Sequence, residues 1–377
     1  MKRMLLLLSL LLLPAMPCEA DSEVFTAVDE GGAPLFSIAG EISVGDEYIS
    51  GDNVLYRIKS VSGTEAVAGR VGEESMPDVG WLDAGAAQPV FAAQGTAVMT
   101  ASKNTDEKKK LIAMYVTHSD ESYVPSDGTQ SIEGQGGIYD VARSFRDALQ
   151  QKGIDVILDE STHLPHDSGA YRRSRRTAER LLQKRPDAII DIHRDGIPDP
   201  GEYVTKVAGE NASKVRLLVG RSNQNSEVNR TFAKQIKAVA DKKYPGLIKD
   251  IFIGKGNYNQ DLSPNAILLE FGTHTISKER VLESTGVMAD VVSTTLYGEQ
   301  TGSAKNAQSS AAQATDKEKN KGSFSGMALL IGLAVAGVII FAFMQTGSAK
   351  DAGRKIGRNL SEMTGGLLGK KRENEEK

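Results

Sequence analysis

Between residues 110 and 298, short apolar runs alternate with longer amphipathic stretches. Some runs have the length and apolar content of buried strands, namely 111–116, 154–159, 187–192, 215–220 and 266–272. The stretches with apolar residues at helical spacing are 137–153, 171–186, 226–246 and 277–298. This alternation predicts an α/β fold, with a mostly parallel sheet and helices on both faces.

Residues capable of chemistry follow three of the predicted strands. "LIAMYVTHSDESY" places His118 and Glu121 after one strand, and "AIIDIHRDG" ends another at His193. "AILLEFGTHT" ends the third at Glu270 and His274. The working crevice of such a sheet lies beyond the carboxyl ends of its strands, so these side chains are expected to gather there.

Two histidines and a carboxylate at one edge of a sheet favour a metal site. Two neutral imidazoles and one carboxylate, with a water in the fourth position, are the usual set of a catalytic zinc. A further carboxylate nearby would be the general base. Asp191 and Asp195 flank His193 and are expected to orient its second ring nitrogen. Each histidine alone is more typical of a surface or capping residue, so the hypothesis depends on their shared position.

Four segments resemble the stage II sporulation protein P family, the engulfment peptidoglycan hydrolases of endospore formers: "VTHSDESY", "AYRRSRRTAERLL", "DIHRDG" and "YNQDLSPNAILLEFGTHT". They cover roughly 110–298 in order, and motifs of this length are specific. The resemblance implies a fold like that of N-acetylmuramoyl-L-alanine amidases. It also implies a zinc-dependent enzyme that cuts between the muramic acid lactyl group and the stem peptide, with endopeptidase activity as well. The implied partners are the sporulation proteins D and M at the engulfing membrane.

The resemblance also implies roles for individual residues. His118 and His193 match the motif histidines and would be zinc (Zn2+) ligands, and Glu270 would be the general base. Two glutamates are alternatives for the carboxylate ligand. Glu121 lies in the family-like stretch, and Glu133 lies fifteen positions after His118, just ahead of the first predicted helix. Glu121 is preferred, which gives His118, Glu121 and His193 as the predicted metal ligands.

Two further polar groups rank lower as site candidates. His163 and His166 form a His-x-x-His pair whose spacing can chelate, although a polar loop at the groove edge is the favoured interpretation. The helix predicted over 171–186 begins with a basic run, Arg172, Arg173, Arg175 and Arg176. Part of this run is expected to be solvated, and part is suited to the carboxylates of peptide stems.

The segments around this unit differ from it in composition. Residues 21–83 alternate apolar with polar residues between glycine turns, which predicts a small β-rich domain ahead of the catalytic domain, 110–299. Residues 84–109 become rich in alanine and then charged, as a linker does. Residues 300–323 are polar and of low complexity, which predicts a disordered spacer.

Both ends of the chain carry membrane-related signals. Lys2 and Arg3 precede an apolar run, and small residues follow it, so residues 1–20 are predicted to be a cleaved signal peptide. Residues 324–345 are uncharged and long enough to cross a bilayer. The basic tail, 346–377, is then expected in the cytoplasm by the positive-inside rule. We therefore expect a single-pass protein of the cell membrane whose catalytic domain is extracytoplasmic and faces the wall.

Composition narrows the functional classes. A formal net charge of −4 and a pI near 5.9 argue against nucleic acid as the main partner. Cys18 is the one cysteine and lies in the predicted signal peptide, so the cleaved protein would have no disulfide or catalytic thiol. The sequence contains no Gly-x-Ser-x-Gly motif, which would indicate a serine hydrolase. The remaining alternative is a non-catalytic peptidoglycan-binding or scaffold module. The presence of His118, His193 and Glu270 argues against this alternative.

Overall fold

The computed structural model of the protein describes residues 23–83, 109–167 and 169–298. The predicted signal peptide, spacer, transmembrane segment and basic tail, and nearly all of the predicted linker, lie outside the described residues. Within the described part, no helix combines the length and the apolar character needed to cross a membrane.

The described residues form thirteen strands and five α-helices. The strands are β1 (Val24–Asp29), β2 (Pro34–Ala39), β3 (Glu47–Ile49), β4 (Val54–Ser62), β5 (Glu65–Glu73), β6 (Leu111–Tyr115), β7 (Asp155–Asp159), β8 (Ala188–Asp195), β9 (Val204–Val207), β10 (Glu210–Ser213), β11 (Val215–Gly220), β12 (Ile248–Gly254) and β13 (Ala266–Thr273). The helices are α1 (Val124–Asp127), α2 (Ile138–Gln151), α3 (Ala170–Leu182), α4 (Ser226–Lys243) and α5 (Lys278–Tyr297).

Eleven of these strands form one sheet, in the order β2-β1-β5-β4-β3-β12-β11-β13-β8-β6-β7. Strands β7, β6, β8 and β13 are mutually parallel, and β11 and β12 form a parallel pair that is antiparallel to β13. The α/β fold is therefore confirmed, and the sheet is mostly parallel between β6 and β13. The strands before β6 pair mostly antiparallel and join through β3 and β12, which makes the whole sheet mixed.

One face of the sheet is covered by α2, α4 and α5. Phe145 of α2, Phe232 of α4 and Met288 of α5 are fully buried in one cluster with strand residues such as Ile190 and Leu269. Side chains alternate between the two faces of a strand, so the next residue in each strand points to the opposite side.

The opposite face is covered by α3 and by the N-terminal strands. Leu181 of α3 packs with Ile189 of β8. Beside it, Phe36 of β2 packs with Phe252 of β12 and Leu268 of β13. The prediction of helices on both faces is thus confirmed, and the second face carries a β layer next to its helix.

The polar residues of interest lie at the point where the chain reverses direction in the sheet. From β6 the chain passes through α2 to the edge strand β7, then returns through α3 to β8 on the other side of β6. Reversal of direction places the two connecting helices on opposite faces. A crevice opens at such a switch point, between the carboxyl ends of β6 and β8.

Candidate metal centre

His118 and Glu121 occupy a tight turn that follows β6. The Glu121 amide lies 3.3 Å from the His118 carbonyl oxygen, and Glu121 Oε2 accepts a hydrogen bond of 2.9 Å from the Arg194 amide of β8. A Cβ atom at Gly136 would collide with the backbone of Glu121 and Asp120. A glycine is therefore required at residue 136, where the segment before α2 crosses this turn. The close approach, together with the hydrogen bond from Arg194, fixes Glu121 against β8.

His193 lies between two carboxylates. Its Nδ1 is 3.4 Å from Glu121 Oε1, and its Nε2 is 3.1 Å from Asp191 Oδ1. The Asp191 carboxylate accepts hydrogen bonds from the Thr117 amide at 2.9 Å and from the Thr117 hydroxyl at 2.6 Å. Asp191 is therefore held in place by β6, close to His193 Nε2, which makes no hydrogen bond among the described residues. A carboxylate in this position is the usual orienting partner of a metal-bound histidine.

The His118 ring completes the group. Its centroid lies 5.1 Å from that of His193, and it stacks on His166 at 3.9 Å. The ligand atoms of His118, Glu121 and His166 all lie within 4.8 Å of one another. His118 Nδ1 is buried and has no hydrogen-bond partner among the described residues.

These residues fit a zinc ion. Ligand atoms of a tetrahedral zinc with bonds of about 2.1 Å are separated by about 3.4 Å, so small side-chain adjustments close the observed distances. The unpartnered nitrogen of His118 gains a partner when a cation binds. His118 and Glu121 thus lie in one donor group with His166, and His193 lies beside it, with its Nδ1 3.4 Å from Glu121 Oε1. Glu133 is exposed and lies outside the donor group.

Glu270 is joined to this group through the sheet register. It is the register partner of His193 on β8 and of Arg216 on β11, and Arg216 is the partner of Asp250 on β12. The Arg216 guanidinium donates to both Asp250 oxygens at 2.7 and 3.0 Å and to Asp195 Oδ2 at 2.9 Å. Its Nη1 is 3.7 Å from Glu270 Oε2. A buried row of ionisable groups therefore runs across four strands.

The N-terminal strand β2 contributes to the same network. The Ala39 amide donates to Asp195 Oδ1 at 3.1 Å, and Arg216 Nη2 donates to the Ser37 carbonyl oxygen at 3.0 Å. The Tyr203 hydroxyl lies 2.9 Å from Asp195 Oδ2 and 3.2 Å from Glu270 Oε2. Glu270 thus lies in a network that is partly built from the β-rich segment.

Burial and neighbouring charges shift the pKa values of His118, His193 and Glu270 in different directions. Burial, followed by the positive fields of His193 and His166, lowers the pKa of His118 well below its ordinary value. Burial also acts to lower the pKa of His193, but the carboxylates of Asp191 and Glu121 outweigh it and raise that pKa to about 10. Burial and then repulsion from Asp195 raise the pKa of Glu270 to about 8, against the opposing pull of Arg216. The centre therefore contains His118 as a neutral imidazole and His193 in surroundings that favour its positively charged form. It also contains Glu270, whose carboxyl group holds its proton near neutral pH.

Sequence reasoning missed several members of the site. Tyr171 of α3 lies parallel to His193 at 6.2 Å and edge-on to His118 at 5.5 Å, so it forms an aromatic wall. Arg216 could have been found from the sequence, because a charged residue inside an apolar predicted strand indicates a buried partner of opposite charge. His274 lies outside the donor group that the described residues form. In the basic run, Arg175 pairs with Asp261 at 2.8 Å, which makes it structural.

Comparison with solved structures finds bacterial amidases at low sequence identity. The apo form of the N-acetylmuramyl-L-alanine amidase Ami1 from Mycobacterium abscessus is 16% identical, with a TM-score of 0.32 over 48% of this chain and 94% of that one. The CwlD amidase from Clostridioides difficile, solved in complex with the GerS lipoprotein, is 15% identical, with a TM-score of 0.30 over 50% of this chain and 95% of that one.

Sequence comparison covers the same region. Stage II sporulation protein P from Bacillus subtilis (strain 168) is 30% identical over 210 residues, which are 51% of this chain and 52% of that protein. The chain thus spans about half the length of this curated relative. The family model described as Stage II sporulation protein P matches residues 70–293, more than half of the chain and every strand from β6 to β13. The chain therefore belongs to the stage II sporulation protein P family.

Proposed function

We propose that this protein is a zinc-dependent peptidoglycan hydrolase of sporulation. Its activity would be that of an N-acetylmuramoyl-L-alanine amidase, with endopeptidase activity as well, and it would remodel the septal wall during engulfment. The observation that carries the proposal is the donor group of His118, Glu121 and His166, with His193 Nδ1 3.4 Å from Glu121 Oε1 and Glu270 as the register partner of His193. Family membership supports the link to sporulation.

The ligand set suits amide hydrolysis. Zinc held by His118, Glu121 and His193 would supply Lewis-acid chemistry toward the carbonyl of the scissile amide. Asp191, 3.1 Å from His193 Nε2, would orient that ring when the metal is bound, and Thr117 keeps Asp191 in place. A cation bound by Glu121 and His193 would supply the positive charge that a protonated His193 otherwise carries.

Glu270 is the proposed general base and acid. It takes a proton from the attacking water and passes it to the leaving nitrogen of the stem peptide, which is the usual work of such a carboxyl. Arg216 lies on the side of Glu270 opposite His193, and the Tyr203 hydroxyl donates a hydrogen bond to Glu270, so the position of Glu270 does not depend on the substrate. Tyr171 shields the histidines from solvent and offers an aromatic face to the substrate.

The proposal includes a cellular setting that follows from the sequence and from the family resemblance. Residues 1–20 would direct export, and residues 324–345 would hold the protein in the cell membrane with the catalytic domain toward the wall. Sporulation proteins D and M would be its partners there. Cell fractionation of the full chain against a chain that ends at residue 323 tests the membrane attachment, because release of the shorter chain is expected.

The function is tested with purified sacculi as substrate. Wild-type protein should release fragments with new amino termini at the first alanine of the stem peptide, and chelation should abolish this release until zinc is restored. Glu270→Gln should lose at least about 100-fold in rate, the lower range of general acid–base catalysis, while it still binds zinc. Glu283→Gln, a change of an exposed glutamate on α5, is the matched control.

Three outcomes would contradict the proposal. Unchanged activity of Glu270→Gln would remove the assigned base. Full activity in protein shown to be free of metal would remove the zinc centre. Fragments whose new amino termini arise only inside the stem peptide would replace the amidase with an endopeptidase.

A further inference from the structure

The two histidines of the His-x-x-His pair have different environments. His163 is buried, and both of its ring nitrogens have partners, the Val116 carbonyl oxygen at 2.8 Å and the Thr177 hydroxyl at 2.9 Å. It therefore has no free nitrogen for a metal. Its hydrogen bonds join the loop before α3 to the end of β6 and to α3 itself.

Arg173 of α3 fixes the backbone that follows His163. Its Nε donates to the His163 carbonyl oxygen at 2.8 Å, and its Nη2 donates to the Pro165 carbonyl oxygen and to Asp167 Oδ1. The backbone on both sides of His166 is thereby tied to a helix. His166 is presented from a fixed position rather than from a free loop.

The side chain of His166 points into the donor group. Its Nδ1 lies 3.0 and 3.1 Å from the two oxygens of Asp120, and Asp120 also accepts a hydrogen bond of 2.7 Å from the Ser131 hydroxyl. Metal-bound histidines usually donate their other ring N–H to a carboxylate in this way, which leaves Nε2 for the metal. The ring stacks on His118 at 3.9 Å, and its ligand atom belongs to the group within 4.8 Å.

We propose that His166 is a fourth protein ligand of the metal centre, oriented by Asp120, and that it closes the coordination shell in this conformation. The inference rests on the proposed function, since it concerns the same zinc. Four protein donors are typical of closed centres, whereas a catalytic zinc keeps one position open. Substrate therefore has to displace one donor before hydrolysis.

His166 is the donor suited to leave. Its side chain is 30% exposed, whereas that of His193 is 4% exposed. His118 and Glu121 are tied to the turn after β6, and His193 lies within β8, so these three move only with the sheet. The metal centre is thus inactive until the substrate displaces His166 from the coordination shell.

The test compares three variants of the full chain: His166→Ala, His193→Ala and His274→Ala. Zinc affinity is measured by competition with a chromophoric chelator, and coordination is followed in the visible absorption of the cobalt(II) form. Loss of an outer partner of a ligand costs about 10–100-fold in affinity, so loss of the ligand itself should cost at least about 100-fold. We expect this loss in His166→Ala and His193→Ala, and wild-type affinity in the control His274→Ala.

The cobalt(II) form decides the coordination number. Wild type should show the intense bands of a tetrahedral site that do not respond to added azide, and His166→Ala at saturating cobalt should show shifted bands that do respond, since a water replaces the imidazole. If His166→Ala keeps wild-type affinity and spectrum while His193→Ala loses affinity, the fourth ligand is wrong and the proposed zinc centre stands. If His193→Ala also binds zinc as tightly as wild type, the proposed centre itself fails.

Discussion

Glu270 and His193 are register partners on the neighbouring parallel strands β13 and β8, and their side chains share the face that α3 and β2 cover. The pairing continues through Arg216 to Asp250, so the proposed metal ligand and the proposed base are the end of a charged row that crosses the sheet. Strand register therefore sets the position of Glu270 relative to the metal ligands.

Replacement of Arg216 should unfold the protein more easily. Arg216 is fully buried and contacts three carboxylates, and removal of one partner of a buried ion pair costs about 3–5 kcal/mol. Arg216→Met should lower the free energy of unfolding by this amount in urea denaturation. The double variant Arg216→Met/Asp250→Asn should regain part of it, because one stranded charge is removed. A loss below about 1 kcal/mol in Arg216→Met would show that the row is solvated.

The alternation of apolar runs and amphipathic stretches was sufficient to predict most of the fold between β6 and α5. Helix α3, predicted over 171–186, spans Ala170–Leu182, and the strand predicted over 215–220 is β11. Strand β12 was missed because Lys249 and Asp250 interrupt its apolar run, and that interruption is the inward-facing charge that Arg216 requires. Its two polar residues made a buried strand look like a connector.

The site was predictable only in part, for a similar reason. His118 and Glu121 follow β6, and His193 lies near the carboxyl end of β8, where the apolar run in the sequence ends. Arg216 could not be placed beside Glu270, since β11 runs antiparallel to β13 and pattern alone does not give strand direction. His166 reaches the site through the contacts of Arg173, which depend on tertiary structure.

The N-terminal strands should be required for stability. Phe36 is 3% exposed, stacks on Tyr48 at 4.2 Å and lies 5.6 Å from the ring of Phe252 in β12. Phe36→Ala should cost about 3–5 kcal/mol in the free energy of unfolding, because a cavity opens between the two layers. Val71→Ala, at an exposed position of β5, is the control and should stay within about 0.5 kcal/mol. Urea denaturation measures both variants. Equal unfolding midpoints for Phe36→Ala and Val71→Ala would mean that the two layers unfold independently.

Gly136 should tolerate no side chain. Gly136→Ala places a Cβ against the backbone of Glu121 and Asp120, so it should destabilise the protein and weaken zinc binding together. Gly286→Ala is the matched control, since no atom lies within 4 Å of its added Cβ. In the interior of α5 that change should stabilise by roughly 0.5–1 kcal/mol. Thermal unfolding and zinc titration of both variants measure the effects, and wild-type zinc affinity in Gly136→Ala would contradict this account of the turn.

Stability should depend on acid pH through Asp290 of α5. Burial opposes ionisation there, but hydrogen bonds from Lys152 and Lys243 lower the pKa of Asp290 below its ordinary value of 3.8. A carboxyl whose pKa is lower in the folded state stabilises above the unfolded value and loses that contribution as the pH falls through the folded value. Asp290→Asn should therefore destabilise at neutral pH and match wild type at the lowest pH where both fold. The exposed Asp147→Asn should have little effect at any pH, and a constant penalty for Asp290→Asn would contradict the linkage.

Zinc should stabilise the folded chain, and the effect should distinguish Glu121 from Glu133. A ligand that binds only the folded state adds about 2.7 kcal/mol at a free concentration 100-fold above its Kd. Glu121 lies 3.4 Å from His193 Nδ1, whereas Glu133 is exposed. Glu121→Gln keeps an acceptor for the Arg194 amide but loses the charge, so it should lose the zinc-dependent rise in Tm, and Glu133→Gln should keep it. Thermal unfolding with and without zinc measures the difference, and loss of the rise in Glu133→Gln alone would assign the carboxylate ligand to Glu133.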